Sequence, residues 1–445
     1  MNTPVADFVR RYAASGTARL HMPGHKGRAS LGCEAFDITE VAGADALYEA
    51  DGILAQSEAN AASLFSSQRT VYSTEGSSQC IRAMLQLCLL AQPQSGRAVV
   101  LAARNVHKAF VYAAALLDID VQWLWPEAGS ASLCACPITP DALARALGAM
   151  PEPPAAVYIT SPDYLGNEAG LAALAQVCHA HGTLLAVDNA HGAYLRFLSP
   201  SRHPLDLGAD ICCDSAHKTL PVLTGGAYLH IARRAPAVMA QQAKQAMALF
   251  GSTSPSYLTL ASLDLCNAAL AGDYPRRIAE TAARLDALRA ALRDLGWRTL
   301  PSDPLRVTLD AASGGLTGTQ LAQRLRAGGV ECEYADEDAL VLMATPENDE
   351  ADFDRVLFAA GEAGKPRDRV PLPVVRAPRA CSIRRALLAP QELLPAQDAL
   401  GRICGAPTVA CPPAIPVAVS GEVITREAIE VFCRCGIETV SVVRA

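Results

Sequence analysis

The sequence predicts an α/β fold: a large domain on a mostly parallel sheet, a smaller α/β domain and a C-terminal domain. Three observations point there. Short β-like runs alternate with amphipathic helical stretches from about residue 70 onward. Almost every run ends in a polar turn, as at the ligand-binding edge of an open α/β sheet. And 445 residues, 51% hydrophobic and 19% charged, hold enough apolar material for two or three cores. Composition shifts divide the chain into an arm (1–60), a large domain (61–290), a small α/β domain (291–370) and a C-terminal domain (371–445).

The arm carries Leu20-His-Met-Pro-Gly-His-Lys-Gly27, where Pro23, Gly24 and Gly27 imply a tight turn crowded by His21, His25 and Lys26. It reads either as a polar loop or as a loop folding over a site. Strands are predicted at Ala98–Ala102, Ile119–Leu124, Ala155–Thr160, Thr183–Val187, Ala209–Cys213 and Gly226–His230, with helices such as Ile81–Leu90 and Leu171–His181. In the last third, a long helical pattern runs from Arg276 to Leu295, and Leu305–Leu309 and Leu340–Ala344 are strand-like. Asp336-Glu-Asp338 reads as a solvated turn, and the Pro/Arg-rich segment Gly364–Arg379 as a linker.

Polar turns follow four of the strands: Arg104-Asn-Val-His-Lys108, Ser161-Pro-Asp-Tyr-Leu-Gly166, Asp188-Asn-Ala-His191 and Asp214-Ser-Ala-His-Lys-Thr219. Such turns after successive strands imply one shared pocket. Lys218, beside Ser215 and His217 and before an apolar Leu-Pro-Val-Leu run, has the setting of a lysine that forms a Schiff base with a carbonyl. Asp188 closes a strand about thirty residues earlier, where an acid can pair with a protonated ring nitrogen; a helix N-cap is its plainer role. The Ser73-Thr-Glu-Gly-Ser-Ser-Gln79 turn opens a helix and can cradle a phosphate. A lysine for an aldehyde, an acid for a pyridinium and a phosphate cup are what pyridoxal phosphate requires.

The formal net charge of −7 argues against a nucleic-acid partner. The 15 cysteines lack zinc-type spacing and read as reduced thiols, so no metal site is expected. With neither a signal-like N-terminus nor a membrane-length apolar run, the expected location is cytoplasmic, without a membrane partner.

Taken together, Met22-Pro-Gly-His-Lys-Gly27, Asp37-Ile-Thr-Glu40, Arg104-Asn-Val-His-Lys108, Ser215-Ala-His-Lys-Thr-Leu-Pro221, Ser252-Thr-Ser-Pro-Ser-Tyr257, Ser262-Leu-Asp264 and Pro412-Pro-Ala-Ile-Pro-Val417 with Gly421-Glu422 resemble the pyridoxal-phosphate-dependent ornithine/lysine/arginine decarboxylases, in a short form without a wing domain. The resemblance implies a PLP-dependent transferase-like fold (fold type I, that of aspartate aminotransferase) and decarboxylation of a basic amino acid to its amine, as in polyamine biosynthesis. It casts Lys218, His107, Asp188 and His217 as the catalytic set. Lys218 would bond to pyridoxal 5'-phosphate, Asp188 face its ring nitrogen and His107 stack on the ring. Ser77, Ser78, Ser215 and His217 would hold the phosphate, and His191, one helical turn past Asp188, would lie near the cofactor. Thr253 would reach the phosphate of a neighbouring subunit, making a homodimer with shared active sites. Glu333 matches the glutamate of a Glu-x-x-Asp stretch. Arg384, Glu392, Arg402 and Glu422 would mostly be structural, with Glu422 the best functional candidate among them.

Two positions depart from the family pattern. Glu75 stands where the phosphate turn usually reads Asn-Gly-Thr-Ser/Thr, and a carboxylate there repels a phosphate unless it points away. Asn189 replaces the glutamate of the common Asp-Glu-Ala-His. An aminotransferase or aldolase using the same cofactor, or a non-catalytic homologue, is the alternative; an aminotransferase would need an arginine clamp such as Arg384 or Arg402.

Overall fold

The computed structural model describes all residues except Ala29, Gln94, 127–131, Pro371, 410–412 and Ala445. Pro412 of the Pro-Pro-Ala-Ile-Pro landmark and Pro371 of the expected linker therefore lie outside the described residues. In chain order the elements are α1 (Pro4–Ala14), α2 (Ile53–Leu64), β1 (Arg69–Ser73), α3 (Gly76–Ala91), β2 (Val99–Ala103), α4 (Lys108–Leu116), β3 (Asp120–Leu124), α5 (Pro140–Gly148), β4 (Ala156–Thr160), α6 (Leu171–Ala180), β5 (Leu185–Asp188), β6 (Ile211–Asp214), α7 (Ala216–Thr219), β7 (Ala227–Ile231), α8 (Ala237–Phe250), α9 (Tyr257–Leu270) and α10 (Tyr274–Asp294).

β1 to β7 form one sheet in the order β1-β7-β6-β5-β4-β2-β3. β5 pairs parallel with β6, and β2 with β3. β7 instead runs antiparallel to both β6 and β1. The reason is length: a parallel return needs a crossover of a dozen or more residues, usually with a full helix. Between Asp214 and Ala227 the chain supplies only the single turn of α7. β5, β6 and β7 are buried along their whole length, which is why they read as largely apolar runs. β1, Arg-Thr-Val-Tyr-Ser, was not among the predicted strands; its polar alternation hid it.

The chain packs as two compact units: Met1–Gln94, Ala155–Tyr158 and Leu171–Ile278 form the first, and Ser95–Pro154, Ile159–Gly170 and Ala279–Ala445 the second. Several landmark residues prove to be struts of the first unit. α1 has no side-chain cap of its own; the backbone N–H groups of Val5 and Ala6 donate to Asp264 Oδ2 at 2.9 and 3.0 Å. The same carboxylate accepts from Ser57 Oγ through its other oxygen at 2.6 Å. In the arm, His25 Nε2 lies 3.1 Å from Asp37 Oδ2, which ties two of the landmark motifs together.

In the second unit, β8 (Arg298–Leu300), β9 (Arg306–Asp310), β10 (Tyr334–Ala335) and β11 (Ala339–Met343) form an antiparallel sheet in the order β10-β11-β9-β8. The acidic run 336–338 is the turn between β10 and β11, where Asp336 Oδ1 accepts from the N–H groups of Asp338 and Ala339 and Arg367 pairs with Asp338. The described part of 364–379 has no helix or extended strand. Beyond it the strand Gln391–Pro395 pairs antiparallel with Thr439–Val443. The 14 described cysteines are free thiols, eight of them buried. No helix among the described residues is long and apolar enough to cross a membrane.

Candidate active site

Two adjacent parallel strands, β5 and β6, end together in the first unit. Their register sets Asp188 opposite Cys213. Asp188 is the last residue of β5 and not a helix cap; it is 2% exposed. Its carboxylate accepts from Tyr158 Oη at 3.1 Å and from the Ala190 N–H at 3.2 Å, with Cys213 Sγ at 3.7 Å. Burial pushes its pKa up, and the Lys218 ammonium only partly offsets this. A carboxylate in that state is short of positive charge, and a protonated ring nitrogen would supply it.

Lys218 lies in the single turn of α7, which follows β6 with Ser215 at its N-cap. Its Nζ is 2.8 Å from His191 Nε2. His191 is not one helical turn past Asp188, as expected. Residues 188–192 form a tight turn closed by Gly192 N–H donating to Asn189 C=O at 2.8 Å, and only then does a short 3-10 helix begin at Ala193. His217 Nδ1 donates to the Gly226 carbonyl at 2.9 Å, which holds the ring in place. Burial lowers the pKa of His217, and neighbouring Lys218 lowers it further.

The phosphate turn is built by the start of α3. Gly76 adopts φ +71°, the left-handed region that glycine favours, and its N–H donates to Gly225 C=O at 2.7 Å. A Cβ at Gly76 would sit 4.0 Å from His217 Cε1, so the turn and the lysine segment meet here. Ser77 and Ser78 fill the first helical turn, and no side chain caps it. Glu75 occupies the N-cap position, yet its carboxylate accepts from the Ser252 N–H instead. The acid is exposed and turned toward the 252–254 segment, which removes the objection that it would repel a phosphate. Thr253, next along, is exposed. An uncapped helix N-terminus, two hydroxyls, an acid short of a cation and a half-buried lysine fit pyridoxal phosphate.

The structure thus gathers Lys218, Asp188, His191, Ser215, His217, Ser77 and Ser78 on the first unit. His107 belongs to the second, where it N-caps α4 and its Nδ1 accepts from the Ala109 N–H at 3.1 Å. The other polar candidates of that unit are hydrogen-bonded within it. Arg104, buried, donates to Pro416 C=O at 2.8 Å and to Glu422 at 3.2 Å, and Glu422 also accepts from the Val419 N–H. Arg402 pairs with Glu392 at 2.6 Å, and Arg384 caps the end of α4 through the carbonyls of Ala115 and Leu116. Glu333 accepts from Tyr164 Oη at 2.6 Å.

Sequence reasoning missed a second buried acid. Asp214, His203 and His230 are fully buried and meet behind the site, together with Asn189. The available signal was a polar residue inside an otherwise apolar strand, at His230 and at the end of Ile-Cys-Cys-Asp, since such groups need partners.

This sheet, with a lysine segment after β6 and an acid at the end of β5, defines the fold type I class of pyridoxal-phosphate enzymes. The sequence profile described as "Orn/Lys/Arg decarboxylase, major domain" matches residues 3–308, and the chain belongs to that family. It is 28% identical to the arginine decarboxylase of Bacillus subtilis (strain 168) over 458 aligned residues, covering 96% of this chain and 92% of that one. The arginine decarboxylase of Halalkalibacterium halodurans is 27% identical, with 95% and 91% covered. Among solved structures, the constitutive lysine decarboxylase of E. coli superposes with a TM-score of 0.79 at 16% identity, over 100% of this chain and 82% of that one. The serine palmitoyltransferase of Sphingomonas wittichii superposes at 0.56 and 13% identity, over 81% and 83%. The chain is a pyridoxal-phosphate-dependent decarboxylase by family.

Proposed function

We propose that this protein decarboxylates a basic amino acid, with arginine the first of arginine, lysine and ornithine to test, using pyridoxal 5'-phosphate. The observation that carries the reading is geometric: Asp188 is buried at the end of β5, beside the strand that leads into Lys218, whose Nζ lies 2.8 Å from His191 Nε2. Bound here, the cofactor supplies an electron sink for the bond between Cα and the carboxylate. Lys218 would hold the cofactor through its Nζ, and His191 Nε2, 2.8 Å from that atom, is placed to exchange a proton with it. Asp188 keeps the ring nitrogen protonated. Ser77, Ser78, Ser215, His217 and the α3 N-terminus would bind the phosphate, and Thr253 of a second copy would complete the cup in a homodimer. The choice of arginine rests on the name carried by the relatives that match nearly the whole chain. The role proposed for that product is polyamine formation in the cytoplasm.

The aminotransferase alternative loses its candidate clamp, because Arg384 and Arg402 are engaged with α4 carbonyls and with Glu392. The test is direct. Purified protein reconstituted with the cofactor should show a visible absorption band that Lys218→Ala lacks, and should release carbon dioxide and the amine from arginine. No carbon dioxide from arginine, lysine or ornithine would refute the activity.

A further inference from the structure

Asp214 closes β6 four residues before Lys218, and Asn189 follows Asp188 directly. The parallel register that sets Asp188 against Cys213 brings the next pair, Asn189 and Asp214, side by side. Strand alternation sends successive side chains to opposite faces, so Asp188 and Cys213 share one face and Asp214 lies behind it. Asn189 Nδ2 donates to Asp214 Oδ1 at 2.6 Å, and the Asn189 backbone N–H donates to Cys213 C=O at 3.0 Å. His203 Nε2 lies 3.1 Å from the other carboxylate oxygen. His230 Nε2 is 3.2 Å from that same oxygen, off the line of a good hydrogen bond, and its Nδ1 is 2.8 Å from Thr70 Oγ1.

Two imidazoles and a carboxylate this close have the composition of a metal site. The His203 ring argues otherwise: its Nδ1 accepts from the Leu205 N–H at 3.4 Å, which leaves the proton, not a lone pair, on Nε2 facing Asp214. The group is a nest of donors around one acid. Asn189 shows which partner dominates. Its Oδ1 is buried with no hydrogen-bond partner, which is unfavourable. The amide accepts this because the reverse orientation would put oxygen against oxygen.

We infer that Asp214 is a positioning residue for the cofactor site: anchored by His203 and His230, it clamps the residue after Asp188 to the strand end that leads into Lys218, and thereby sets the spacing of acid and lysine. The inference rests on the cofactor reading above. Neither Asp214 nor Asn189 is among the residues proposed to hold the cofactor; they would act through Asp188 and Lys218.

The test compares wild type, Asn189→Ala, Asn189→Asp and the transposed pair Asn189→Asp/Asp214→Asn. Cofactor dissociation constants, the pH midpoint of the visible band and the unfolding temperature are measured for each. Asn189→Ala removes only the clamp and is expected to stay folded, with affinity down about tenfold and the pH midpoint displaced. Asn189→Asp sets two buried carboxylates together and is expected to lose more, and the transposed pair to recover most of that loss. Folded Asn189→Ala with wild-type affinity and midpoint would overturn the inference, as would a transposed pair no better than Asn189→Asp. A wild type that binds no cofactor would instead overturn the cofactor reading itself.

Discussion

Two acids end neighbouring strands of one sheet, and the chain treats them in opposite ways. Asp188 has a phenol, one backbone N–H and a distant thiol as partners, and burial drives its pKa up. Asp214 is buried as deeply, yet His203, His230 and Asn189 more than offset the loss of water and hold it far below the ordinary carboxylate range. Burial alone therefore does not decide the charge of a carboxylate; the count and kind of donors do. Asp214 is completed by the chain itself, which suits a structural anchor. Asp188 has fewer donors of its own, and a cation from outside would complete it, which suits a binding site.

The largest effect that would test this contrast is on chemistry. Asp188→Asn should lower the decarboxylation rate by about 10²–10³, as expected for loss of a preorganised charge partner, while the apoprotein stays folded. A rate within threefold of wild type, measured at saturating cofactor, would place the ring nitrogen's partner elsewhere. The next effect is on stability. Asp214→Asn should destabilise the apoprotein by about 3–5 kcal/mol in denaturant unfolding, the usual cost of breaking a buried charged network. A loss under 1 kcal/mol would mean the nest is replaceable.

Their pH dependences should have opposite signs. The pKa of Asp214 in the fold lies below its ordinary 3.8, so its contribution is fully present above that value and fades as pH falls below it. The pKa of Asp188 lies above 3.8, so the apoprotein loses stability as pH rises past that value, until the acid is ionised in the folded state too. Unfolding temperatures of wild-type and Asp188→Asn apoprotein should therefore coincide near pH 3 and separate toward pH 7, with the variant higher. Coincidence across the range would remove the proposed shortage of charge at Asp188. The smallest effect concerns Glu75. Because its carboxylate serves Ser252 and is exposed, Glu75→Gln should change cofactor affinity by less than about threefold, in line with a weak surface charge interaction. A tenfold gain would show that the acid does face the phosphate.

Much of the fold was legible locally. Six strands of the main sheet, and the helices α3 and α6, were readable because buried strands are apolar runs bounded by polar turns. Lys218, Asp188 and the Ser77–Ser78 turn were legible for the same reason, since ligand sites of such sheets lie at strand ends. β1 escaped because Arg69, Thr70 and Ser73 break its apolar pattern; its partner β7 lies more than 150 residues away and gives it strand form.

What the sequence by itself determined is the alternation of elements, the family and the residues at the strand ends, all encoded in neighbouring side chains. Only the tertiary structure decided what the two departures mean. The Glu75 carboxylate accepts from the N–H of Ser252, distant in sequence, a partner no local pattern shows. Asn189 stands beside a buried acid, Asp214, because the register of β5 and β6 makes them partners. Hydrogen bonds between strands depend on register and packing, and neither is written in any short stretch of chain.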